Sequence, residues 1–182
     1  MDVDIRRYAT WDELGVYCHR VASAVGLVSI EIFGYKNPQC RGYAIALGLA
    51  LQMTNIIRDV AADLKADRIY LPAQDLARFH YHEEDLRNQL ADSRVIQLMN
   101  FEAARAEKFF ADASRLLPPE DRRSMLPAEI MRSIYQALLR RMRLDDFRVF
   151  EKCYRLSKLE KAGRVTAQFF NCFLNLPRQV SV

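Results

Sequence analysis

Glycine is missing from the whole stretch between Gly48 and Gly163, and the 182-residue chain holds six glycines and six prolines in all. That scarcity excludes fibrous and low-complexity classes and leaves long blocks with little to interrupt a helix. The longest uncharged apolar run, Ala44 to Leu51, is far short of the roughly 18 to 20 residues that span a bilayer. A soluble or peripheral protein is expected. Met1 is followed by Asp2, Asp4, Arg6 and Arg7 rather than by a basic start and an apolar block, so no secretory signal is read and a cytoplasmic location is expected. The four cysteines form no C-x-x-C pair and only three histidines accompany them, which argues against a disulfide framework and a zinc site and for free thiols, mostly in the core. A net charge of +4 is a mild bias toward anionic partners.

What is present is helical. No repeat, linker or domain boundary interrupts the chain, so residues 1–182 read as part of one all-α domain. Thr10 with Glu13 three residues on forms a capping box for a helix through Tyr17, Val21 and Val25 that breaks around Gly34 to Pro38. Further helices are expected over about Gln39 to Ala66, 73 to 79, Glu83 to Leu90 and Ser93 to Leu116, then from Pro127 through Met142, and finally over Ser157 to Leu174. The alternating charges from Glu102 to Arg115 read as a solvated face with i,i+4 pairing. The last helix interleaves Leu159, Phe169, Phe170 and Phe173 with Lys158, Lys161 and Arg164. It reads either as a final bundle helix or as a basic amphipathic helix on a membrane surface.

The chemistry concentrates in GYAIALGLALQMTNIIRDVAADLKADRIYLP, residues 42 to 72. At about 100° per residue, Gly48, Gln52, Asn55, Asp59 and Asp63 fall within roughly an 80° arc, and apolar residues occupy the rest. Burying such a stripe costs several kcal/mol unless it is paired or binds an ion. Asp59 and Asp63 stack one turn apart, with the Asn55 amide a turn earlier, an oxygen-only set that suits Mg²⁺ completed by water and phosphate. Arg58 and Arg68 flank the pair and offer guanidinium forks to phosphate oxygens. Gly48 leaves space on the stripe for substrate to lie against backbone. A di-iron bundle would need Glu-x-x-His pairs, and neither His80 nor His82 has a Glu three residues before it.

Embedded as Q-x-x-N-x-x-R-D-x-x-x-D-x-x-x-x-R-x-Y-L-P, residues Gln52 to Pro72 resemble the second aspartate-rich motif of the squalene and phytoene synthase family, head-to-head (1'-1) prenyl transferases. The Y-C-x-x-V-A-x-x-V-G core at Tyr17 to Gly26 and A-E-I-M-x-x-I-Y-x-x-L-L at Ala128 to Leu139 extend the likeness. LPPEDRRSM, DFRVF and RLSK are similar above all to bacterial presqualene diphosphate synthases, with phytoene synthases as the runner-up. The resemblance implies an isoprenoid-synthase-like helical bundle acting on two prenyl diphosphates, farnesyl diphosphate first, in squalene and hopanoid synthesis. It implies Asp59 and Asp63 as Mg²⁺ ligands, and Gln52, Asn55, Arg58 and Arg68 around the diphosphate. Tyr17, Tyr70 and Tyr135 would face the reacting groups. No nucleic acid is implied, a peripheral contact with the inner membrane is, and the oligomeric state stays open. The family's first aspartate-rich motif has no counterpart here, so the chain reads as an incomplete, N-terminally truncated bundle. Alone it is expected to be inactive or a non-catalytic subunit, with part of its stripe and adjoining apolar surface uncovered.

Overall fold

The computed structural model describes residues 5–173. It is built from helices: α1 (Trp11–Cys18), a π turn (His19–Ser23), α2 (Ala24–Phe33), α3 (Cys40–Lys65), α4 (Ala73–Arg78), α5 (Glu83–Arg87), α6 (Ser93–Leu116), α7 (Leu126–Leu144) and α8 (Lys158–Phe173). Among the described residues the only extended pairing is an isolated bridge between Arg7 and Ile69. The all-α expectation holds, and the boundaries agree within a few residues. α5 ends three residues early, at Arg87, because Asn88 and Gln89 turn the chain, Gln89 with a positive φ of 52°. Leu174, expected to end the last helix, lies outside the described residues.

Thr10 caps α1 by accepting from the Glu13 N–H at 3.3 Å, while Glu13 reaches back to the Ala9 N–H at 2.8 Å, one residue earlier than the usual box. The π turn between α1 and α2 leaves no trace in the apolar spacing, and the helix runs unbroken from Trp11 to Phe33. Gly34, at φ 77°, ends it. Buried Asp121 then fixes the turn into α3 by accepting from the backbone N–H groups of Lys36 and Asn37 at 2.7 and 3.0 Å.

α3 is the central helix. Met53, Ile57 and Ala50 are fully buried, and α6 packs along it through Leu98, Met99, Ala103, Ala106, Phe110 and Ala113 at helical spacing. Three alanines on that face let the axes approach closely. α7 joins through a buried polar tie: the Tyr43 hydroxyl donates to Glu129 Oε1 at 3.0 Å, and Arg132 clamps the same carboxylate at 3.0 and 2.9 Å. Leaving that carboxylate unpaired would cost about 3–5 kcal/mol. Of the cysteines, Cys18 and Cys40 are core thiols, whereas Cys153 is exposed and Cys172 half-buried.

α6 also corrects the reading of its charges. Glu102 points inward with no exposure, beside Asp75 and Arg105, and Arg105 bonds Asp75 at 3.0 Å while lying 4.5 Å from the Trp11 ring centroid. The position follows from phase: Glu102 occupies the same face as Met99 and Ala106, so the helix carries it into the core. Burial pushes its carboxyl up to about 8, with Asp75 adding to the shift against the pull of Arg105. Between an unfolded value near 4.5 and a folded value near 8 the native state binds the extra proton, so stability falls as pH rises through that window. Glu102→Gln, which mimics the protonated acid, should match the parent near pH 5 and exceed its Tm at pH 9 by about 4 °C or more. Thermal unfolding across that pH range checks this; parallel curves for both proteins would refute it.

Candidate functional site

α3 runs antiparallel to the α1–α2 helix, with Gly26 against Ala44 and Gly48 against Ser23. A Cβ on Gly48 would lie 2.7 Å from the Ser23 Cα and 2.9 Å from the Ala22 carbonyl carbon. The space expected at Gly48 for substrate is therefore filled by the backbone of the π turn. The Ser23 hydroxyl seals the contact by donating to the Ile45 carbonyl at 3.0 Å. Beyond this crossing the stripe opens, and Gln52, Asn55, Asp59 and Asp63 emerge half-buried along one side of α3.

Asp59 is clasped by its neighbour, Arg58 donating from Nε to Oδ1 at 2.8 Å and from a terminal nitrogen to Oδ2 at 2.5 Å. These bonds hold the guanidinium firmly charged, and the Tyr135 hydroxyl on α7 adds to them. Tyr135 thus sits beside Arg58, as expected of a residue lining the same cleft. One turn on, Asp63 shares a narrow crevice with Arg68 and Tyr70, closed below by Ile56 and Val60. The Arg68 N–H bonds the Asp63 backbone carbonyl at 2.9 Å, which turns the chain back at the end of α3.

Tyr70 connects this crevice to α1. Its ring stacks on Tyr17 with centroids 5.1 Å apart, and the Tyr17 hydroxyl donates to that of Tyr70 at 3.3 Å. Tyr8 completes a buried aromatic trio at 5.5 and 5.9 Å from the other two. Nothing in sequence spacing marks Tyr8, because it precedes the first helix. It is brought in by the Arg6 carbonyl accepting from the Ile69 N–H, and by Arg7, which binds Glu83 and the Asp67 carbonyl. Of the nine predicted site residues, Arg58, Asp59 and Tyr135 form one group and Asp63, Arg68, Tyr70 and Tyr17 another at the C-terminal half of α3, while Gln52 and Asn55 precede them on the same stripe of the helix.

The donor set fits a hard divalent cation. Asn55 Oδ1 is buried and has no hydrogen-bond partner among the described residues, on the side of the helix that carries Asp59 and Asp63. Leaving an amide oxygen so costs about 1–3 kcal/mol unless something binds there. Among the described residues no three His, Cys, Asp or Glu side chains converge, so an all-protein cage is absent, and two carboxylates with an amide match an ion that keeps water and substrate phosphate in its shell. Arg58 engages both oxygens of Asp59, so it would compete with a cation for that carboxylate, and a fork released from it would match phosphate.

Among the described residues the chain is all-α, with Asp59 and Asp63, flanking arginines and buried tyrosines gathered at one end of the central helix. A family-wide sequence profile for squalene/phytoene synthases matches residues 1–161. The 15-cis-phytoene synthase of Synechocystis sp. is 40% identical over 84% of this chain and 49% of its own length. The squalene synthase HpnC of Alicyclobacillus acidocaldarius superposes with a TM-score of 0.71 at 31% identity, covering 80% of this chain and 56% of its own. A dehydrosqualene synthase gives a TM-score of 0.80 at 26% identity over 96% and 61%. The chain belongs to the squalene/phytoene synthase family, a prenyl transferase family. It spans about half the length of the curated relatives it matches.

Proposed function

We propose that this chain forms one wall of a head-to-head (1'-1) prenyl transferase site that joins two prenyl diphosphates. The observation that carries the reading is the unpartnered Asn55 Oδ1 on one stripe with Asp59 and Asp63, between Arg58 and Arg68. Asn55, Asp59 and Asp63 would hold Mg²⁺, which when bound supplies positive charge beside a departing diphosphate. Arg58, released from Asp59, and Arg68 would bind its oxygens bidentately. Gln52, one turn before Asn55, is placed to hydrogen-bond the same group. The stacked rings of Tyr17 and Tyr70 offer π faces to a developing allylic cation, and their linked hydroxyls can pass a proton to the leaving oxygen. Val25, Val28 and Ile32 on α2 are exposed apolar residues alongside the N-terminal half of α3.

Farnesyl diphosphate giving presqualene diphosphate is the first substrate reading, supported by the LPPEDRRSM, DFRVF and RLSK runs. Geranylgeranyl diphosphate giving phytoene is the second, favoured by relatives that carry the phytoene synthase name. Calorimetric titration of the 182-residue chain with farnesyl and geranylgeranyl thiolodiphosphates, with Mg²⁺ and with EDTA, separates them. Binding should require Mg²⁺, and the tighter ligand names the substrate. Equal binding in EDTA would refute the metal assignment. A non-catalytic subunit would bind without turnover, and with labelled farnesyl diphosphate little or no presqualene diphosphate is expected from this chain alone.

A further inference from the structure

Two buried carboxylates share one guanidinium where α4 meets α6. Glu102 of α6 has no exposure, and Asp75 of α4 is 4% exposed. Arg105, one turn along α6, donates from the same terminal nitrogen to Glu102 Oε2 at 2.5 Å and to Asp75 Oδ2 at 3.0 Å. Glu102 Oε1 is buried with no hydrogen-bond partner among the described residues. One cation does not balance two carboxylates kept from water. A proton on Glu102 removes the second charge, and the acid can then donate to Asp75.

The surrounding elements bring no further buried charge to the pair. α1 presents the Trp11 ring, 4.5 Å from the Arg105 guanidinium, and the buried Cys18 thiol, which burial first and then the charge of Glu102 push up to about 12. The buried residues of α3 include no charged side chain. Exposed Arg78 of α4 lies over the Phe101 ring at 4.5 Å, and the pair of Arg143 with Glu107 joins α7 to α6 at the surface. α4 connects this cluster to the aromatic trio. It is six residues long and starts directly after Tyr70, Leu71 and Pro72. Its Ala73 and Gln74 N–H groups donate to the Tyr8 and Ala9 carbonyls at 2.9 and 3.0 Å, so the helix that carries Asp75 also fixes Tyr8 beside Tyr70. A helix this short has little stability of its own and keeps its place through such contacts.

We propose that Glu102 and Asp75 are positioning residues for the candidate site: one proton held between them clamps α4 to α6 and keeps Tyr8, Tyr17 and Tyr70 together, and its loss to solvent loosens the trio. The consequence for ligand rests on the role proposed for Tyr17 and Tyr70, whereas the clamp itself does not. Trp11 is the only tryptophan, and its contact with Arg105 makes its emission a reporter of the cluster. In the 182-residue chain Trp11 emission should titrate with a midpoint at about 8. The transition should be absent in Glu102→Gln, and Asp75→Asn should move it down by about one pH unit or more. Between about pH 7 and pH 9 the Ala73 and Gln74 amides of the parent, after correction for intrinsic rate, should lose about fivefold or more of their protection against hydrogen exchange, and those of Glu102→Gln should keep it. Mg²⁺-dependent affinity for farnesyl or geranylgeranyl thiolodiphosphate should fall by about fivefold or more over the same range in the parent alone. Emission that does not titrate, or parent amides that stay as protected as those of Glu102→Gln, would overturn the proposal. So would thiolodiphosphate affinity that stays level while the amides loosen. Thiolodiphosphate binding at neither pH would instead remove the reading of α3, with emission and exchange still deciding the clamp.

Discussion

Asp59→Asn and Asp63→Asn should each weaken Mg²⁺-dependent prenyl diphosphate binding by tenfold or more in the 182-residue chain, and the double variant should abolish it. Each change removes one unit of negative charge from a set whose neutral member, the Asn55 oxygen, cannot hold a divalent ion alone. Asparagine preserves volume on a helix surface, so far-ultraviolet circular dichroism should not change. The two variants should differ in one respect. Asp59→Asn also frees Arg58, which holds both oxygens of Asp59 in the parent, so some metal-independent affinity for inorganic pyrophosphate should appear in that variant and not in Asp63→Asn. In a full-length family member carrying the same stripe, turnover should drop by orders of magnitude with either change. Parent-like calorimetric affinity in either variant would remove that aspartate from the assignment.

The second large effect lies at the crossing of α3 with the π turn. Gly48→Ala places a methyl 2.7 to 2.9 Å from main-chain atoms of Ala22 and Ser23, and main chain within two helices cannot step aside as a side chain can. Overpacking of this kind costs about 1–3 kcal/mol and more where relaxation is blocked. Tm should therefore fall by roughly 5–10 °C in a chain of this length, and Gly48→Leu should not reach the native fold at all. Gly163→Ala is the internal control: nothing lies within 4 Å of its added Cβ in α8, so the better helix former should raise stability by about 0.5–1 kcal/mol. A Gly48→Ala protein as stable as the parent would mean that α3 and the π turn do not touch as described.

Much of this was legible from spacing. The missing glycines and the placement of prolines define the helices, and the polar stripe on an apolar helix picks out Asn55, Asp59 and Asp63 because no other arrangement of these residues would be worth burying. What spacing cannot carry is the third dimension at contacts. Gly48 belongs by phase to the polar stripe, yet it serves the crossing, since a glycine that admits a ligand and one that admits a backbone look alike in sequence. Glu102 lies in a run of charges whose alternation suggests solvent, and only its phase with Met99 and Ala106 betrays the core. Tyr8 reaches the site through a loop held by Arg7, a partnership 60 and 76 residues long in sequence separation. α8 has the amphipathic pattern in full, and pattern alone does not say which side faces in.

The π turn at His19–Ser23 gives the α1–α2 helix a residue to spare. A π turn houses one residue more than an α-helix spanning the same distance. Removing one of residues 19–22 would let the hydrogen bonds close into ordinary α-helix with little local penalty. The same deletion would leave α1 in nearly its present phase relative to α2, with Tyr17 on Tyr70 and Ser23 on Gly48. Removing Ala24 or Val25 from regular α2 would instead turn everything before it by about 100°, so that the contacts of Gly26 with Ala44 and of Ser23 with Gly48 could not both be kept. The count of residues is forgiving at the π turn and unforgiving one turn later.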